Sequence, residues 1–294
     1  MAQILDSPLN LDEAELEALA RVAKPKLYKH TANISGFYRS RTLINGGNDF
    51  AGLREYSPGD EVRAINWRAS ARSKQFQVHQ HQQERGARWF ICLDTSASMG
   101  VPEPYKWRLA LELSDAFTYI LLVGGNQVGL VPFNEKVHDY CPLGPGRSQY
   151  KKVHQILQQL QPKDKGGNSF LHACLSRIKQ QASIIVISDF LQADFMKHGL
   201  DRLRKSGHRL HAMQVLSQHE SELSVDGLVT LSDIETGETM AIESTAQTHA
   251  LAKNWLQQQS RQLQIYCSEH RINYSFSSTN QHWKDILVNH ISNL

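Results

Sequence analysis

Hydrophobic positions along the chain change rhythm near residue 88. Before it they are sparse: Leu11, Leu16, Leu19 and Val22 recur at helical spacing, and after Lys24-Pro25 the chain is polar and glycine-punctuated through Gly46-Gly47. Between residues 50 and 81, Gly52, Pro58 and Gly59 mark turns among short alternating runs such as Phe76-Gln77-Val78. Residues 1–87 therefore predict a helix and a small strand-containing unit, too small to bury much surface alone.

From Arg88 onward, apolar runs alternate with helical periodicity. Trp89-Phe90-Ile91-Cys92-Leu93 is continuous, as a parallel strand covered on both faces requires. Leu109, Leu113, Ala116, Phe117, Ile120 and Leu121 then recur at helical spacing. Further strands are expected over 128–133, 184–187, 210–216 and 272–276, with a short partner at 137–140. Helices are expected over 150–160, 170–178, 195–203, 246–266 and 283–291. Residues 228–231 and 240–242 flank Thr236-Gly237 as a hairpin or edge strand. This alternation predicts an α/β fold for residues 88–294, a doubly wound, mostly parallel sheet.

Composition narrows the class further. Of 294 residues, 40% are hydrophobic and 21% charged, an ordinary globular balance. The net charge of +3 leaves little footprint for nucleic acid, which needs basic residues gathered on one face. The one basic cluster, Arg21, Lys24, Lys26 and Lys29, follows an acidic run from Asp12 to Glu17, and solvated faces explain both. The first residues lack the basic and apolar regions of a signal peptide, and the greasiest stretch, near 119–123, falls short of the roughly 20 residues that span a bilayer. Cys92, Cys141, Cys174 and Cys267 are widely spaced among apolar neighbours, as buried thiols in a reducing compartment would be. Together these features predict a cytoplasmic chain.

Two of the expected strands end in an aspartate: Asp94-Thr95-Ser96-Ala97-Ser98 follows the first, and Ser188-Asp189-Phe190 follows 184–187. Loops leaving the carboxyl ends of strands form the binding crevice of such sheets. A carboxylate capping a buried strand is costly unless paired, hydrogen-bonded or near a cation. Ser96 and Ser98 occupy alternate positions and can turn with Asp94 toward one centre. An oxygen-only set of this kind suits a hard cation, Mg²⁺ first, with Mn²⁺ or Ca²⁺ as alternatives. The bland alternative is that Asp94 and Ser96 merely cap a helix; the following helix begins only after Pro102-Glu103-Pro104, which weakens it.

Asp94-Thr95-Ser96-Ala97-Ser98 resembles the DxSxS signature of the metal-ion-dependent adhesion site of von Willebrand factor A domains. Gly166-Gly167-Asn168-Ser169 falls where that family's glycine-threonine loop belongs, and Asp189 where its distal aspartate belongs. Upstream, Leu53-Arg54-Glu55-Tyr56-Ser57-Pro58-Gly59-Asp60-Glu61-Val62-Arg63-Ala64-Ile65-Asn66-Trp67, then Ser70-Ala71-Arg72, resembles the hallmark of a bacterial family of unknown function. That family joins the hallmark to a von Willebrand factor A-like domain and is linked to MoxR-type AAA+ ATPases. The resemblance implies a protein-binding, adaptor or chaperone-like role beside such an ATPase and a client. It implies a cation held by Asp94, Ser96 and Ser98, with Asp189 in support and an open position for a partner's carboxylate. Asn168 stands where threonine is usual, so Asn168 or Ser169 would have to complete the third loop. Arg54, Glu55, Asp60, Arg63, Trp67 and Arg72 would fasten the small unit to the larger one or touch a partner, since guanidinium forks hold carboxylates bidentately.

Two rivals remain beside this reading. One is a metal-independent scaffold in which Asp94, Ser96 and Asp189 only bond to one another. The other is a metal-dependent hydrolase. For that, an aspartate-nucleophile loop needs a second aspartate where Ser96 stands, no phosphate loop of the G-x-x-x-x-G-K-[ST] type is present, and His79 and His81 alone make a weak metal pair.

Overall fold

The computed structural model of the chain describes residues 9–32, 41–44, 49–57, 62, 65–73, 75–84, 86–101, 104–134, 137, 140–162, 171–221, 227–232 and 238–292. The chain opens with α1 (Glu13–Ala32), whose start is capped by Asp12 accepting from the Ala14 amide at 2.9 Å and whose first turn carries Glu13 and Glu15. The helix continues through Pro25, past the break expected there, at the loss of one backbone donor. Next come β1 (Arg41–Ile44), β2 (Asp49–Glu55), α2 (Trp67–Ser73) and β3 (Gln77–Glu84), the strands forming an antiparallel sheet in the order β1-β3-β2. Asn66 caps α2, its side-chain oxygen accepting from the Ala69 amide at 3.0 Å.

The larger unit alternates as expected. In chain order it comprises β4 (Arg88–Asp94), α3 (Pro104–Val123), β5 (Gln127–Phe133), β6 (Cys141–Pro145), α4 (Gly146–Gln159), β7 (Ser183–Ser188), α5 (Ala193–Lys205), β8 (Arg209–Leu216) and α6 (Gln218–Ser221). A two-stranded sheet, β9 (Gly227–Ser232) and β10 (Thr239–Ser244), precedes α7 (Ala246–Glu269), β11 (Asn273–Ser278) and α8 (Trp283–Ser292). The six-stranded sheet has the order β11-β8-β7-β4-β5-β6, parallel except for β6. Trp89, Ile91 and Leu93 pack toward α1, α3 and α8, while Phe90 and Cys92 pack toward α5 and α7, so β4 is buried on both faces.

Two expected elements differ. Of the expected 137–140, residues 138 and 139 lie outside the described residues and Val137 bridges Phe133; the partner strand of β5 is β6. Pro142 and Pro145 hid it, because proline argues against a strand except at a sheet edge, and β6 is an edge. In place of a full helix over 170–178, Leu171–Ser176 forms a 3-10 turn.

A buried acid ties two helices on the α1 side of the sheet. Asp115 of α3 is wholly buried; it accepts from the Tyr150 hydroxyl at 3.1 Å and pairs with His154 Nδ1 at 3.0 Å, both on α4. That hydrogen bond holds the His154 imidazole above its usual pKa, against the opposing pull of burial. The folded value is thus raised, so the contribution is complete below the unfolded value of 6.5 and is lost as pH rises through the folded one. We expect His154→Gln to cost about 1 kcal/mol near roughly pH 5.5 and less near roughly pH 8.5. Denaturant melts at both pH values check this; an equal cost at both would show that the imidazole acts only as a neutral hydrogen-bonding group.

Candidate functional site

The register of the central strands builds the site. β4 and β7 run parallel with Leu93 opposite Ile187, so Asp94 and Ser188 leave the sheet side by side at its carboxyl edge. Asp94 is buried; one carboxylate oxygen accepts from the Ser96 amide at 3.0 Å and the other from the Ser188 hydroxyl at 2.7 Å. Burial, and then the charge of Asp189, push its carboxyl up to about 6, while the bonds from Ser188 and Ser96 pull the other way. Residues 97–100 form a 3-10 turn, which brings the Ser96 and Ser98 hydroxyls within 3.1 Å of each other. Ser96 stands at the N-cap position of that turn but makes no side-chain cap bond, so helix capping does not explain its hydroxyl. The amide and hydroxyl of Thr95 both bond the Phe133 carbonyl, at 2.8 and 3.1 Å, and pin the loop to β5.

The β7 loop is held just as closely. Phe190 adopts φ 55°, a strained conformation for a bulky residue, and its amide donates to the Ser188 hydroxyl at 3.0 Å. The Leu191 amide donates to Asp189 at 3.2 Å, and Gln214 of β8 donates to the Asp189 carbonyl at 2.9 Å.

Sequence reasoning missed a cation already in the site. Lys106, in the first turn of α3, is 0% exposed; its ammonium donates to Asp189 Oδ2 at 3.1 Å and to Glu220 Oε1 of α6 at 2.5 Å. The second Glu220 oxygen accepts from the Ser217 amide at 2.7 Å. Burial presses the Lys106 ammonium down, yet the charges of Asp189 and Glu220 overcome it and its pKa is raised. Burial raises the Glu220 carboxyl by more than Lys106 lowers it. The available signal was a lysine in a helix's first turn, where the positive end of the dipole disfavours it, so that strong partners were required.

Of the remaining predicted residues, Asn168 and Ser169 lie outside the described residues, as do Asp60 and Arg63. Arg54 lies in β2, while Glu55 at its end and Arg72 in the last turn of α2 are exposed. Trp67 is 61% exposed and meets Phe76 edge to face with centroids 6.1 Å apart. His79 and His81 are alternate residues of β3.

Whether a divalent cation suits these residues can be judged from the donors. Asp94, Ser96 and Ser98 offer only oxygen, and Mg²⁺ is held elsewhere by one or two carboxylates with the remaining positions left to water. Among the described residues no group of three or more histidines, cysteines, aspartates and glutamates is gathered as a metal cluster. Among the described residues, an ion here would rest on Asp94 and hydroxyl oxygens, with Asp189 turned toward Lys106.

Comparison with known proteins agrees with the fold. Uncharacterized proteins of Mycobacterium tuberculosis and Mycobacterium bovis are 28% identical over 202 residues, 66% of this chain and 63% of theirs, so the match spans less than two thirds of the relatives' length. Similar solved structures include the conserved hypothetical protein BatB of Bacteroides thetaiotaomicron (16% identity, TM-score 0.43, 71% of this chain and 100% of that one). Proximal thread matrix protein 1 from the mussel byssus, in a form with a zinc-occupied adhesion motif, is 14% identical at a TM-score of 0.42, over 70% of this chain and 44% of that one. The pilus adhesin SpaC of Lactobacillus rhamnosus GG is 11% identical at 0.43, over 88% and 35%. A cytoplasmic location, expected from the sequence, is not retained; proteins of pili and byssus stand among the similar structures. No helix among the described residues is long and apolar enough to cross a membrane. The fold is that of a von Willebrand factor A-like domain with a smaller strand-rich unit, and the match of one family model to residues 52–263 shows that the chain belongs to the family described as protein of unknown function DUF58.

Proposed function

We propose that the chain is a protein-binding module that holds a divalent cation on Asp94, Ser96 and Ser98 and offers it to a carboxylate of a partner. The carrying observation is the convergence of these three side chains at the carboxyl edge of the sheet, with the two serine hydroxyls 3.1 Å apart. A bound ion would supply an open coordination position and a positive charge against the buried Asp94. Ser188 orients Asp94, and Lys106 draws Asp189 and Glu220 together behind it. The upstream segment's resemblance to a hallmark linked to MoxR-type AAA+ ATPases supports an adaptor or chaperone-like role beside such an ATPase and its client. No catalytic step belongs to this reading.

One observation favours a second reading, a metal-independent scaffold: the Lys106 ammonium already neutralises part of the carboxylate cluster. Calorimetric titration of the purified chain with Mg²⁺, Mn²⁺ and Ca²⁺ separates the two. We expect saturable binding in wild type, lost in Asp94→Ala with circular dichroism unchanged, and Mg²⁺-dependent capture of an AAA+ ATPase by wild type alone. Wild type that binds none of the three ions leaves the scaffold as the better account.

A further inference from the structure

The two edges of the six-stranded sheet are built differently. β6 closes one edge with Pro142 and Pro145, and its register with β5 breaks between Val128 and Leu130. Prolines and bulges of this kind blunt an edge against further pairing. β11 closes the other edge as Asn273-Tyr274-Ser275-Phe276-Ser277-Ser278, with no proline and no charge. All six residues pair in unbroken parallel register with β8, and among the described residues no strand pairs with its outer side.

That outer side lies in a groove between α7 and α8. Two cavities, of about 710 and about 450 Å³, adjoin along it and share Gln264, Tyr274 and His290. Leu256 of α7, Phe276 of β11 and Ile286 of α8 give it apolar walls, and Phe276 is 50% exposed. Lys253 and Arg261 of α7 line the larger cavity, and Arg209 and Arg271 line the smaller one beside the start of β11. Among the described residues no carboxylate lines either cavity. Lys253, Arg261 and Arg271 along this open strand edge set the sign of what fits there. The groove lies outside the Asp94 site: none of Asp94, Ser96, Ser98, Lys106 or Asp189 lines it.

We propose that this groove receives an extended acidic segment of a partner protein as a seventh strand on β11. Main-chain pairing along the six residues of β11 would supply affinity, and alternate side chains would meet Phe276 and Leu256 of α7, as in strand addition generally. Lys253 and Arg261 would pair with carboxylates of the incoming segment, which selects acidic over basic peptides.

The test uses the full chain and a fluorescein-labelled peptide alternating glutamate or aspartate with valine or threonine, followed by anisotropy at low ionic strength. The acidic peptide binds, and added salt weakens it. The same peptide N-methylated at alternate amides, and its lysine-substituted counterpart, each bind at least about tenfold more weakly. Lys253→Glu with Arg261→Glu, both at exposed positions, reverses the preference between the acidic and basic peptides. Amide exchange shows slowed exchange in β11 on binding. Equal binding of the N-methylated peptide, indifference to the charge reversal, or no binding of the acidic peptide at low salt would each overturn the proposal. So would a dimer that the peptide fails to displace, since a second copy would then be the occupant.

Discussion

Lys106→Met is expected to lower the stability of the chain by about 3–5 kcal/mol, the cost of removing one partner from a buried ionic cluster. At roughly 2–4 °C per kcal/mol for a unit of this size, the melting temperature falls on the order of 10 °C. The methionine fills much the same volume, so the loss is electrostatic: Asp189 and Glu220 are left facing each other without the ammonium that bonds both. Replacing the carboxylate as well removes the stranded charge, so Lys106→Met with Glu220→Gln should recover part of the loss, whereas two independent defects would add. Thermal melts of the two single variants and the double variant measure this. A single variant that melts within about a degree of wild type would show that Lys106 is not what holds the β7 loop to α6. If Mg²⁺ raises the melting temperature of Lys106→Met more than that of wild type, a divalent ion is taking over the ammonium's work at the same carboxylates.

Much of this arrangement was legible in the chain because its physics is local. Trp89 to Leu93 announces a strand buried on both faces, and the aspartate that ends it must then lie at the sheet's carboxyl edge. The same reasoning applies to Ile184 to Ile187 and Asp189, and the parallel register of the two strands brings the loops together. The alternate spacing of Ser96 and Ser98 likewise foretold that their hydroxyls could meet. What was illegible depends on distant pairs. Lys106 meets Glu220 across 114 residues and Asp189 across 83, and no periodicity in a single chain reports such a pairing. Ser188 was visible as a neighbour of Asp189, yet its bond to Asp94 follows from the order of β4 and β7 in the sheet. The β6 edge was hidden for a different reason: its prolines read as turn residues until the strand's place at the edge is known.

The same dependence on position makes Gly86 a sensitive point although nothing in its sequence context marks it. Gly86 lies where the chain enters β4, against the turn that joins α3 to β5. A methyl group there would lie 2.5 Å from the Gly125 carbonyl carbon and 2.6 Å from Asn126 Cα, and closer still to the Gly125 oxygen. These are backbone atoms that cannot swing aside. They are fixed in turn by Asn126, which accepts from the Ala87 amide at 3.0 Å and donates to the Leu121 carbonyl at 3.0 Å, and by the Gln127 amide on Ala87 at 2.9 Å. Gly86→Ala is therefore expected to cost about 3 kcal/mol, the upper part of the usual overpacking range. Gly125→Ala makes a sharp contrast: space around it is open, and only its φ of +81° opposes a side chain, so about 1 kcal/mol is expected. Because β4 carries Asp94 at its far end, displacement at Gly86 should also loosen the Asp94–Ser188 bond, whereas Gly125→Ala leaves it in place. Urea melts give the first comparison and amide exchange at Ser96 and Phe190 the second. If the two alanine variants lose equal stability, contact with the α3–β5 turn is not what requires glycine at position 86.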